Sequence, residues 1–318
     1  MGSGASGTRR VGLLLALVSA VAFGGSGPIA KPLIDAGIDP LQVAFLRVAG
    51  AALVLSPLAV RHLPALRHPT RIVSYGLFAV AGVQACYFAA ISRIPVGVAL
   101  LVEYFAPVLV LAFVRVVLRR RVSRAALVGV VFAVVGLANV VEVWSGARFD
   151  PLGLALALGA ACCQVVYFVL SEGGGARPVS PTAMLAVGLL VGAAALTLVA
   201  RPWTLPWHLL ATAAPVRGVA VPAWLLVAWL AVVTTVIAYL TGIAAVRRLS
   251  APVGSTVACL EAVLAALLAW LLLGQSMTAI QVAGGLLVLA GAVIAQRATP
   301  ATPAAAPVEH SDELVAKP

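Results

Sequence analysis

Charge is scarce in this chain: Asp, Glu, Lys and Arg make up only 10% of 318 residues, against 63% apolar. A soluble domain carries about 25% charged and about 45–50% apolar residues, so this composition cannot cover a core with a water-facing surface. Lysine is nearly missing, with Lys31 and Lys317 the only two among 21 basic residues. Cysteine and histidine are sparse, four of each. Cys86, Cys162, Cys163 and Cys259 all fall within apolar runs, while His62, His68, His208 and His310 fall in loops or the tail. No metal-ligand spacing or disulfide framework results. A GxSxG element, a Walker loop and an HExxH run are also missing, and the intervals between apolar runs are too short for a nucleotide-binding module. These absences point away from an enzyme, an ATP-driven pump, a metal site and any cofactor.

What the chain has in quantity is long apolar runs, at 11–29, 40–60, 72–92, 96–118, 125–141, 151–170, 181–200, 222–246, 252–273 and 277–296. Each is about 20 residues, the length that spans a hydrocarbon layer of about 30 Å as a helix. A membrane β-barrel would show short alternating strands instead. The expected class is an all-α polytopic membrane protein with ten transmembrane helices. Asp39-Pro40, Asp150-Pro151 and Ser180-Pro181 each place a capping side chain ahead of a proline in the first helical turn.

The net charge of +11 does not point to nucleic acid, because the basic residues sit in short turns with no aromatic-flanked surface. They read as orientation signals. With the N-terminus in the cytoplasm, 15 Lys and Arg fall inside and five fall outside, leaving Arg47 within a run. Both termini are expected to be cytoplasmic, in the inner (plasma) membrane of a bacterium. Residues 1–10 form a short polar lead without signal-peptide features, and 298–318 read as a disordered cytoplasmic tail.

The chain also reads twice. A shift of 141 carries Gly12, Ala16, Ala20 and Pro40 onto Gly153, Ala157, Ala161 and Pro181, and a shift of 155 carries Arg93, Leu118, Gly129 and Gly136 onto Arg248, Leu273, Gly284 and Gly291. The expected units are 11–145 and 150–297. Five helices per unit is an odd number, so the second unit enters from the opposite face and the repeat is inverted. That design supports alternating access around a site near the midplane. The glycine pairs Gly129/Gly136 and Gly284/Gly291 are each about two turns apart, which grooves one helix face for a close neighbour.

Ionisable groups within a span are functional candidates by default. Arg47, Glu103 and Glu261 qualify. Arg47 and Glu103 are each about seven residues into their runs, hence about 10 Å deep and able to pair, and Glu261 is about 13 Å deep. Pro107 cannot donate to the carbonyl of Glu103, so a kink is expected there. Gln84, Tyr87, Tyr104, Gln164, Tyr167 and Tyr239 could line a path for a small molecule, and Gln84 falls on Tyr239 under the second shift. For each, structural packing is the alternative reading. Together these nine residues are the candidate substrate- and proton-binding set.

The stretches Phe23-Gly-Gly-Ser-Gly-Pro-Ile-Ala-Lys31, Gly37-Ile-Asp-Pro-Leu-Gln-Val-Ala-Phe-Leu-Arg47, Asp150-Pro-Leu-Gly-Leu-Ala-Leu-Ala and Leu260-Glu261, with Leu271-Leu-Leu-Gly274, resemble the EamA-type ten-helix members of the drug/metabolite transporter superfamily. The resemblance covers about residues 11–296. Pro95-Val-Gly-Val-Ala-Leu-Leu-Val-Glu103-Tyr-Phe-Ala-Pro107 is most similar to the bacterial threonine/homoserine exporter type. Two positions depart from the family pattern: Ala262 stands where a proline is usual, and Gln275 where a glutamate is usual. The resemblance implies export of amino acids or related metabolites in exchange for protons, by a monomer or homodimer in a lipid bilayer. Uptake, a sugar- or lipid-like substrate, and a non-transporting sensor or assembly subunit are the alternatives.

Overall fold

The computed structural model describes residues 3–62, 69–117, 119, 123–140, 150–171, 180–246 and 251–298. The expected tail from 299 onward and Arg67, Arg120, Arg121, Arg148, Arg177, Arg247 and Arg248 of the charge count lie outside them, as do the side chains of Tyr167 and Cys259.

The described chain is mostly helical. In order it forms α1 (Ser3–Gly24), α2 (Ser26–Asp35), α3 (Pro40–Val54), α4 (Ser56–Arg61) and α5 (Pro69–Ser74), a π-helical stretch Tyr75–Gly82, then α6 (Val83–Ile91), α7 (Val96–Glu103), α8 (Ala106–Val116) and α9 (Arg124–Val140). It continues with α10 (Pro151–Ser171), α11 (Pro181–Ala200), two 3₁₀ turns, a hairpin of β1 (Ala213–Val216) and β2 (Val219–Pro222), α12 (Ala223–Ala231), a second π stretch Val232–Ile237, α13 (Ala238–Val246), α14 (Ala251–Leu273) and α15 (Ala279–Ala298). Among the described residues, four stretches are by length and composition apolar enough to cross a membrane: 10–35, 69–91, 182–200 and 223–245. Five shorter apolar helices accompany them.

Several departures from the expected runs have local causes. The run 96–118 is two helices, α7 and α8, separated at Tyr104–Phe105. The Phe105 N–H bonds only three residues back, to Val102 O at 3.1 Å. The break comes just before Pro107, which has no N–H to continue the ladder. The run 40–60 divides at Leu55, ahead of Pro57 in the first turn of α4. The hairpin corrects the all-α expectation. It closes on Arg217 and Gly218, at φ 50° and 80°, the paired positive values of the tightest hairpin turns.

Asp39 accepts from Leu41 N at 2.8 Å, Asp150 from Leu152 N at 2.7 Å, and Ser180 from Ala183 N at 3.2 Å. α15 is capped reciprocally by Thr278 and Gln281, each side chain accepting from the other's N–H, at 3.2 and 3.0 Å, the capping-box arrangement.

The sequence spacings recur as helix boundaries. α3 and α11 start 141 positions apart, while α6 and α13, α7 and α14, and α9 and α15 start 155 apart. Both π stretches end directly before the members of the α6/α13 pair. α9 lies along α15. A methyl group on Gly136 or Gly284 would lie 2.6 Å from the other's carbonyl oxygen, and one on Gly291 would lie 2.5 Å from Gly129 O. The partner number falls as the helix number rises, so the helices are antiparallel. The grooving glycines thus pack against each other within one chain.

Candidate functional site

Arg47, on α3, is 2% exposed. Its position on the buried face of the helix forces the guanidinium into the interior, where every donor needs an acceptor. Nε donates to Thr235 Oγ1 at 2.7 Å, Nη1 to Gln84 Oε1 at 2.7 Å and also to Ser26 Oγ, and Nη2 to the Thr234 carbonyl at 2.9 Å. Phe88 lies beneath, its ring centre 5.7 Å from Cζ, in cation–π range.

The acceptors are prepared by backbone irregularity. In the π stretch Val232–Ile237, residues four and five positions on from Leu230 reach one carbonyl, and both Thr234 and Thr235 hydroxyls donate to Leu230 O at 2.8 Å. With its proton committed there, the Thr235 oxygen presents only lone pairs to Arg47. Ser26 opens α2 just after the bend at Gly25. Single π turns inside helices are rare and concentrate at functional sites.

Around this hub the other charged candidates gather. Arg47 is in electrostatic range of Tyr239, Tyr87, Glu261 and Glu103, and the two carboxylates are in range of each other. Glu103 is the last residue of α7 and is 7% exposed. Tyr104, in the break, lies beside Glu261 on α14. α14 comes close to the bend in α1–α2: a methyl on Gly24 would sit 3.1 Å from Glu261 O. Tyr239 stacks edge-on to Phe23 at 4.7 Å.

The Arg47–Glu103 pair that their similar depth would allow is not formed. The ion pairs among the described residues are Lys31–Asp35 at 2.5 Å and Arg93–Asp150 at 2.8 Å, and Arg47 spends its donors on neutral oxygens. Its planar fork fits four acceptors arranged around it, whereas Glu103 sits at the end of a different broken helix. Gln84, Tyr87, Tyr104 and Tyr239 are brought to the constellation. Gln164 is half-buried on α10 with no described polar contact to it, and the side chain of Tyr167 lies outside the described residues. The sequence reading missed Ser26, Thr234 and Thr235. A Thr-Thr pair within the apolar run 222–246 was the available signal, since two hydroxyls at one depth of a span require partners.

The EamA-like transporter family matches the chain twice, over residues 10–141 and 151–296. The chain is 28% identical over 290 residues to the threonine/homoserine exporter RhtA of Escherichia coli (strain K12), covering 89% of this chain and 88% of that one. It is 30% identical over 277 residues to RhtA of Salmonella typhimurium (strain SL1344), covering 85% of each. An uncharacterized transporter of Archaeoglobus fulgidus is 28% identical, with 91% of this chain and 97% of that one covered. One crystal structure, at 22% identity and a TM-score of 0.56, shares the fold over 91% of this chain and 96% of its own. With its apolar helices, the chain is a multi-pass protein of the bacterial inner membrane. Two matches to one family, at the two halves that the spacings of 141 and 155 had separated, establish that this chain belongs to the EamA-like transporter family.

Proposed function

We propose that this protein exports small metabolites, amino acids or related compounds, by alternating access, in exchange for protons. The observation that carries the reading is one constellation holding a fixed, buried cation, Arg47, a buried carboxylate, Glu103, and a partly buried one, Glu261, in mutual electrostatic range. With all three ionised the site has one negative charge in excess. An uncompensated charge is costly in a low-dielectric interior, so one further cation balances it: a proton in one phase of the cycle, the ammonium group of an amino acid in the other. Occupancy by one excludes the other, and that exclusion is the basis of exchange. The amino-acid class is suggested by the exporters named above. The protein acts as a transporter and not as an enzyme.

The architecture proposed for this cycle is ten spans in two inverted units, 11–145 and 150–297, with both termini cytoplasmic. Its support is a contact pattern that exchanges with itself. The pair Gly129/Gly291 becomes Gly284/Gly136 under the shift of 155, and both are close contacts between antiparallel helices. A methyl on Gly50 would lie 2.8 Å from Ala231 Cβ, and one on Gly76 would lie 2.6 Å from Val191 Cβ; the two shifts carry the first pair onto the second. A twofold axis across antiparallel helices lies in the membrane plane, the arrangement of inverted repeats.

Reconstituted vesicles loaded with labelled threonine, with and without an imposed pH gradient, test the exchange. The expected result is at least tenfold faster export with protons entering. Equal rates would sink proton coupling. Glu103→Gln is expected to abolish the gradient response, and full transport by that variant would remove Glu103 from the cycle.

A further inference from the structure

Cys86 on α6 and Cys163 on α10 take no part in the charged constellation, and both are free thiols. The helices that carry them meet through a reciprocal joint. Gly82 stands one turn before Cys86, and Gly159 one turn before Cys163. A methyl on Gly82 would lie 2.9 Å from Cys163 Sγ, and one on Gly159 would lie 3.4 Å from Cys86 Sγ. Each sulfur therefore rests over the glycine of the opposite, antiparallel helix. Small residues at this spacing draw helices together, and here it places both thiols on the one seam between α6 and α10. Cys162, the next residue along α10, is exposed and faces away from this joint. Both joint sulfurs are within electrostatic range of Glu103, and α6 also carries Gln84 and Tyr87.

We propose that Cys86 and Cys163 form a reversible disulfide, with hydrogen peroxide as the oxidant, and that this bond ties α6 to α10 and arrests movement between the two halves of the chain. One sulfur gives up its proton and attacks a peroxide oxygen. The O–O bond breaks, leaving a sulfenic acid and one water. The second sulfur then attacks the sulfenic sulfur, the S–O bond breaks, the S–S bond forms and a second water departs. Two thiols lose two electrons, and one peroxide is reduced to two waters. The arrest rests on the transport reading above; formation of the bond does not.

The test uses the full chain carrying Cys162→Ser and Cys259→Ser, reconstituted in vesicles and treated with hydrogen peroxide. Mass spectrometry is expected to find the Cys86–Cys163 linked peptide. Threonine export is expected to fall at least tenfold and to return on reduction with dithiothreitol, while Cys86→Ser and Cys163→Ser variants ignore the oxidant. Amide hydrogen exchange over Val83–Ile91, which needs no substrate, is expected to slow at least tenfold in the linked protein. Absence of the linked peptide, oxidation that stops at sulfinic acid, unchanged exchange, or linked protein that exports at the parent rate would each overturn the proposal. Vesicles that move no threonine even before oxidation would count against the transport reading, with linkage and exchange still deciding the tie.

Discussion

At Arg47 a single side chain connects four segments of the fold. Its guanidinium bonds from α3 to Ser26 on α2, Gln84 on α6 and the π stretch at Thr234 and Thr235. These bonds occupy four of its five donors, so Arg47 acts as a clamp that positions the carboxylates around it more than as a free ligand for an anionic group. Lysine would keep the charge but supply three donors from one point, and it cannot match a planar set of acceptors. Arg47→Lys is therefore expected to lose most transport and to lower stability by about 1–3 kcal/mol for each buried acceptor left unpaired, read by thermal unfolding in detergent. A variant with more than half the parent transport rate would show that charge alone is required. No such clamp stands at the matching position of the second half. The position 141 residues on is Gly188, and the space beside it is taken by the Tyr75 ring, 2.6 Å from where a methyl on Gly188 would stand. Arg47, Glu103 and Glu261 were legible as candidates because charge in an apolar run is costly. Their partners were not, because hydrogen bonds between residues 188 positions apart leave no mark on local pattern.

At the scale of the element, helix starts were the most readable feature, because capping depends on two or three adjacent residues. The α10 start adds a contact from a distant turn. Arg93 Nη1 bonds Asp150 at 2.8 Å while Asp150 also accepts from Leu152 and Gly153 N–H groups. The Arg93 guanidinium, then these backbone donors, hold the Asp150 carboxyl below its ordinary range. A depressed carboxyl contributes stability that is present above its unfolded-state pKa and is lost as pH falls through the folded-state value. Asp150→Asn is accordingly expected to lower the melting temperature at neutral pH, with the difference from the parent closing on acidification below the usual carboxylate range. A difference that stays constant with pH would place the effect elsewhere. The α9–α15 contact makes a second element-level prediction. Gly136→Ala drives a methyl to within 2.6 Å of a backbone oxygen, which no rotamer can relieve, and about 1–3 kcal/mol of destabilisation is expected from such overpacking, measured by thermal unfolding. Helix interruptions were harder to read than starts. The proline at 107 indicated a kink, but separation into α7 and α8 with Tyr104 reaching Glu261 depends on α14 lying opposite.

At the scale of the whole molecule, the proposed odd number of spans per unit carries a topological consequence. Reporter domains active only in the cytoplasm are expected to work when fused at either terminus and to fail when inserted at the hairpin turn Arg217-Gly218. Activity at that turn would reverse the assigned orientation. What the sequence by itself determined was the membrane class, the two spacings, the capped helix starts and the charged candidates, since each follows from composition or from residues near one another in the chain. The tertiary structure alone decided that Gly129 and Gly136 meet Gly291 and Gly284 in one chain, that Arg47 is satisfied by neutral oxygens instead of Glu103, and that Cys86 faces Cys163. Those outcomes depend on which helix faces meet. In a chain where nearly every face is apolar, sequence pattern barely distinguishes one face from another, and close packing of small residues makes the choice.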